Sequence, residues 1–451
     1  MSSKFAWFGA IAGFCLVLAA CGGGGGGGSS TTATNSSGTT SGSTTTSGST
    51  SSSTSSSSTS NSTSSTNTTP WADATATPTA VNGTNAVAIS VSNQPFGLVN
   101  APMVSVTVCQ AGSGATGSTC STIPNVLLDT GSYGLRLFAS VVPSNTLTAL
   151  GAPSVAECGL FVSGYTWGGV HNADIQLGTK VAASVPVQII GDSAITASAP
   201  SECQIGTAMT TPNAAFANGI LGVGNSQYDC GTGCVSGAQS GAYYTCSGSP
   251  STCTATTQPL ASQVQNPVAL FPTDNNGVIV EMAQVADLGA TTASGTLVFG
   301  IDTASNNTLS GTGATLLKTN NAGNFTATYK TQTFTDNAFF DSGSNGLFFP
   351  DSSIARNGSW YAPSTTLPLT ASLTNSSANA SATTTALNFN VANEATLAAT
   401  HNYAFNDIAG AAAGMMDFGL PFFYGRHVYV GIAGKSSAGG GTGPYVAYVS
   451  Q

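Results

Sequence analysis

Charge is what this sequence has least of. Asp, Glu, Lys and Arg make up 6% of its 451 residues, against roughly 25% in an ordinary globular chain. Only 8 residues are Lys or Arg, and beyond Lys4 they stand singly, from Arg136 to Lys435. Without a basic stripe there is no footprint for a phosphate backbone, so nucleic acid is not an expected partner. The 3 histidines, His171, His401 and His427, lie far apart and away from the cysteines, so no metal site is expected. A phosphate-binding loop and a Ser/His/Asp set are also missing, and no cofactor is expected. What is present is 41% hydrophobic, enough for a sizeable core under a surface of Ser, Thr, Asn and Gln. The net charge of -9 reads as a solubility device; tolerance of acid is the alternative.

The N-terminus reads as an address. Lys4 precedes an apolar run from Phe5 to Ala20, shorter than the ~20 residues of a spanning helix. The run ends in Leu18-Ala19-Ala20-Cys21, a small-residue cleavage site with Cys first in the mature chain. This resembles the bacterial lipobox, which implies acylation of Cys21 and a stable lipid anchor. Residues 1–20 are then a lipoprotein signal peptide, and the protein is expected in the bacterial envelope, at the outer membrane. Residues 21–69 are the lipidated Cys and a Gly/Ser/Thr stretch too poor in apolar side chains to offset ordering entropy. A flexible tether is expected there, with a reach of roughly 40 Å.

Of the 10 cysteines, eight remain after Cys15 and Cys21: Cys109, Cys120, Cys158, Cys203, Cys230, Cys234, Cys246 and Cys253. An even set in an exported chain predicts disulfides, all before residue 254. Their connectivity is open; pairing of neighbours, Cys109 with Cys120 and Cys158 with Cys203, is the simplest arrangement.

From Val87 onward the pattern is β. Short runs such as Val87–Val91, Val104–Val108, Val126–Leu128, Ala173–Leu177, Val185–Ile190, Val278–Val280 and Leu297–Phe299 are separated by turn signals such as Asn275-Asn276-Gly277. Helical turns are expected only near Pro143–Leu150, Pro259–Val264 and Glu394–Ala399. Within this pattern one block occurs twice. Leu127-Leu128-Asp129-Thr130-Gly131-Ser132, followed by Gly134-Leu135, returns as Phe339-Phe340-Asp341-Ser342-Gly343-Ser344, followed by Gly346-Leu347. From composition alone the tetrad has a chance of roughly 1 in 200 per Asp. Two copies with matching flanks a lobe's length apart mark an internal repeat.

These blocks resemble the pepsin family, which carries Asp-Thr/Ser-Gly-Ser/Thr once per lobe after an apolar strand. Asn218–Gly224 and Asp417–Val430 are similar to the strands that support each loop, and Pro267–Phe271 with Gly295–Asp302 is similar to the lobe junction. The resemblance runs over about residues 97–451, by the order of motifs. The chain also resembles a bacterial lipoprotein family of unknown function with the same blocks. The pepsin resemblance implies a mostly β, bilobal acid-protease fold: two six-stranded-barrel-like lobes with the cleft between them, at 70–272 and 273–451.

It also implies chemistry. Asp129 and Asp341 would form a pair sharing one proton, able to activate a water against a peptide carbonyl. Gly131 and Gly343 would let backbone approach the carboxylates. Thr130 and Ser342 would brace the two loops, and Ser132 and Ser344 would fix each carboxylate. For the flap over the cleft the positional candidates are Tyr165 and Trp167; an aromatic pair packed inside the first lobe is the other reading. His171 is expected on a hairpin surface. The expectation is a monomeric, envelope-anchored aspartic endopeptidase acting on extended peptides or proteins, with no cofactor and with the membrane met only through the anchor. The alternative is a catalytically silent binding module of the same fold for a protein or glycan.

Overall fold

The Ser121–Asp129 strand is half-wet at its start and buried on both faces from Val126 to Asp129. That change marks where the strand leaves an edge and passes between neighbours. In the computed structural model, which describes residues 74–450 except 82, 84, 248–251 and 380–383, six strands close around this point. Met103–Gln110 pairs with Ser121–Asp129 and, on its other side, with Gly164–Leu177. Lys180–Ile190, Tyr133–Phe138 and Gly219–Val223 complete the ring. The signal segment, Cys21 and the Gly/Ser/Thr stretch lie outside the described residues.

The interior of this barrel is aliphatic. Val104, Val106, Val108, Leu128, Leu135, Leu137, Ile175, Val187 and Leu221 are all buried in one cluster, and each such side chain contributes about 1.5–3 kcal/mol by leaving water. The second half is built differently. Nine strands form a second sheet, with Gln332–Phe340, Leu347–Phe348 and Met416–Phe418 near its middle. It closes into a half-barrel beside the first half's complete six-stranded barrel, where two barrel-like lobes were expected. Its core is aromatic: Phe340 stacks on Phe422 with centroids 4.2 Å apart, and Phe325, Phe349, Phe389 and Phe418 pack around them. A few broad rings fill a half-open sheet that small aliphatic residues would leave hollow. Six antiparallel strands, from Ala86–Val91 to Thr315–Lys318, run on from the barrel in the same sheet. The fold is mostly β, 42% strand and 10% helix, consistent with a bilobal β architecture.

The expected strands all form, as do the short helices Ser144–Ala149 and Glu394–Ala399 and a 3₁₀ turn at Leu260–Ser262. The eight cysteines join as neighbours: Cys109–Cys120, Cys158–Cys203, Cys230–Cys234 and Cys246–Cys253. The second half carries none and is tied instead by buried amides. Asn100 adopts φ 52° and is fully buried. Its amide donates to the carbonyls of Asn345 and Phe405 and accepts from the Phe405 N–H and the Tyr424 hydroxyl. That anchors the segment just after the second Asp-Ser-Gly-Ser.

Candidate active site

Each Asp-hydroxyl-Gly-Ser block follows the end of a strand, and the next strand runs back beside the one just left. A third strand threads between them. In the first half Leu128 lies opposite Leu221 and Asp129 opposite Gly222, in parallel register, while Gly134 faces Gly222 from the other side. In the second half Phe340 lies opposite Phe418, which also faces Leu347. The internal repeat is therefore a repeat of topology as well as of letters.

The turns hold their carboxylates alike. The Gly131 N–H donates to Asp129 Oδ1 at 2.8 Å and the Ser132 hydroxyl to Oδ2 at 2.5 Å. The Gly343 N–H donates to Asp341 Oδ1 at 2.8 Å and the Ser344 hydroxyl to Oδ2 at 2.8 Å. The two turns then grip each other. Thr130 Oγ1 accepts from the Ser342 N–H at 2.9 Å and donates to the Phe340 carbonyl at 3.0 Å. Ser342 Oγ accepts from the Thr130 N–H at 3.1 Å and donates to the Leu128 carbonyl at 2.7 Å.

This grip brings each carboxyl against the other turn's glycine. A Cβ on Gly131 would lie 2.6 Å from Asp341 Cγ, and one on Gly343 2.8 Å from Asp129 Oδ1. The carboxyls of Asp129 and Asp341 are thereby close enough to act on each other. Burial, then the charge and hydrogen bond of Asp341, hold the Asp129 carboxyl well above the usual carboxylate range, against the opposing donors Ser132 and Gly131. A proton shared between two close carboxyls follows from these forces. Such a pair can take a proton from one oxygen while giving one to another.

The flap candidates are engaged elsewhere. Tyr165 and Trp167 pack in a satellite cluster with Cys158, Cys203 and Tyr244. Trp167 meets Tyr244 edge-on at 5.5 Å and donates its indole N–H to the Ala197 carbonyl. His171 is not on a surface: it is 4% exposed and bonds Asp192 at 2.8 Å, because its strand lies inside the barrel wall. Among the described residues no group of three or more His, Cys, Asp or Glu is placed to hold a metal ion.

Two buried polar groups were missed by sequence reasoning. Arg136, eight positions after Leu128, donates to the Tyr133 carbonyl and pairs with Glu157 and, at 3.5 Å, with Asp229. Asp229 also accepts from the Tyr243 hydroxyl at 2.6 Å. This network braces the strand leaving the first turn. Asp417, in the strand threading the second turn, is 5% exposed. A charged residue inside an apolar repeat was the available signal for both.

A family model described as "Protein of unknown function (DUF3443)" matches residues 81–448. No curated protein matches the chain.

Proposed function

This chain belongs to the DUF3443 family, whose description carries no activity, and we propose from its site that it is an aspartic endopeptidase of pepsin-like bilobal fold. The observation that supports this most is the mutual approach of Asp129 and Asp341, each held by its own Gly N–H and Ser hydroxyl and locked by the Thr130–Ser342 grip. Single structural Asp turns have no need of a second carboxyl against their glycine. The pair shares one proton at rest. The ionised carboxyl takes a proton from water as the water oxygen bonds to the scissile carbonyl carbon. The protonated carboxyl gives its proton to the carbonyl oxygen. The resulting gem-diol collapses with cleavage of the C–N bond, and the amine leaves with a proton returned by the pair. The substrate is an extended peptide, laid in as an added strand. The lobes are residues 70–272 and 273–451, and Cys21 tethers the enzyme to the envelope.

One observation favours a second reading. Tyr165 and Trp167 are packed into the disulfide-bearing cluster, which leaves closure over a bound peptide without an assigned side chain; a silent binding module for a protein or glycan would need none. A peptide in which a hydroxymethylene replaces the scissile carbonyl separates the two. An enzyme binds it at least about 100-fold more tightly than the parent peptide, because it mimics the tetrahedral state, and Asp341→Asn removes the advantage. Equal affinity for the two peptides contradicts the enzyme.

A further inference from the structure

The two threading strands are related by the internal repeat, residue for residue. Leu127 lies opposite Ile220 in the first half, and Phe339 lies opposite Asp417 in the second. Asp417 therefore occupies the place of an apolar residue. It is 5% exposed, and among the described residues its Oδ1 has no hydrogen-bond partner. A buried, underpartnered carboxyl is costly to keep, and the first half shows that the fold needs none there.

Ser344 is hydrogen-bonded to Asp341 and lies near enough to Asp417 to act on its carboxyl. A serine hydroxyl has one proton. Ser344 gives that proton to Asp341 Oδ2 at 2.8 Å, so towards Asp417 its oxygen is only an acceptor, and the bond forms when Asp417 brings the proton. We propose that Asp417 is a positioning residue of the carboxyl pair: in its neutral form it donates to Ser344 Oγ, committing the Ser344 hydroxyl to Asp341. The chain of donors is Asp417 to Ser344 to Asp341, and each bond polarises the next. The first half has Ser132 on Asp129 with Ile220 behind it, so the relay makes the two carboxyls unequal. Burial, and then the nearby charge of Asp341, favour the neutral form of Asp417 against the opposing contact with Ser344, and the charge of Asp129 adds to them; these two carboxyls are the titratable groups that act on it.

The inference rests on the peptidase reading, and its test has one arm that does not. In the full chain labelled with ¹³C at Asp Cγ, the Asp417 resonance, assigned by its loss in Asp417→Ile, stays protonated above the pH at which exposed Asp residues titrate. Titration together with the exposed residues overturns the proposal. In peptide hydrolysis, Asp417→Ile, which installs the residue found at the equivalent position 220, folds and lowers kcat about tenfold with KM unchanged, the effect of one lost hydrogen bond. Asp417→Asn, whose amide N–H donates to Ser344 at every pH, restores kcat and extends activity towards neutral pH. An Asp417→Ile enzyme with wild-type kcat and pH profile, or equal losses in both variants, overturns the relay. Absence of cleavage by wild type refutes the peptidase instead, and the carboxyl titration still decides the protonation state of Asp417.

Discussion

At the scale of single residues, the site depends on two places where a side chain is missing. Gly131 and Gly343 leave room for the opposite carboxyl, and neither needs a positive φ; the requirement is space. Asp341 cannot swing aside cheaply, because Gly343 and Ser344 hold both of its oxygens. Gly131→Ala is therefore expected to fold but to spread the pair, reducing peptide hydrolysis at least about 100-fold by misplacing reacting groups. A steady-state assay beside a circular-dichroism spectrum checks this; near-wild-type rates in a folded variant would contradict the close approach. The residues of the pair were legible in the sequence because each carries its own turn with it, as Asp-hydroxyl-Gly-Ser. Asp417 was not, since its role comes from Ser344, far upstream in the chain. His171 was misread for a similar reason: its partner Asp192 comes from beyond the next strand.

At the scale of elements, the grip between the turns matters more than either turn alone. Thr130→Val keeps the shape and deletes one hydroxyl, leaving the Ser342 N–H and the Phe340 carbonyl without that partner. The expected loss is about 1–3 kcal/mol of unfolding free energy, with a larger proportional loss of hydrolysis, because the pair loses its brace. Urea denaturation measures the first and an activity assay the second; a variant unaffected in both would show that the turns are positioned by their strands alone. The strands themselves were readable from alternation and turn residues; the connectivity of the cysteines was open, and it is the folded hairpins that pair neighbours, as where Cys246 lies opposite Cys253. What period and composition could not carry was closure. The same strand-like runs complete a barrel in the first half, where Gly164–Leu177 reaches back to Met103–Gln110, and only a half-barrel in the second. That difference lies in long-range pairing and in the aromatic filling of the second core.

At the scale of the whole molecule, scarcity of charge makes a few buried carboxyls decisive for pH behaviour. Asp129, Asp229 and Asp417 are held well above the ordinary value of 3.8, and Asp407 is pushed up to about 7, in each case chiefly by burial. The folded state binds more protons than the unfolded chain there, so their contribution is present in acid and is lost as pH rises. Asp174, Asp192, Asp274 and Asp302 are lowered, and Asp351 to about 2, by hydrogen bonds from backbone and side chains that outweigh burial. Their contribution is present above 3.8 and lost as pH falls. The two sets oppose each other on either side of the ordinary carboxylate pKa, so thermal stability is expected to peak at about pH 4–5. Scanning calorimetry across pH measures it; a melting temperature still rising at pH 7 would contradict the account of the buried carboxyls. An acid optimum of stability also suits the proposed catalytic pair, which would have to keep one proton to work.

The central claim is that Asp129 and Asp341 act as one catalytic unit, and digestion of a peptide library from acidic to neutral pH tests it most directly. Wild type should cleave on the acid side, along a bell whose two apparent pKa values belong to the pair. Asp129→Asn and Asp341→Asn should each remove nearly all cleavage, and the double variant should be little worse than either, because neither carboxyl works alone. Cleavage that survives either single substitution, or no cleavage by folded wild type at any pH, would contradict it.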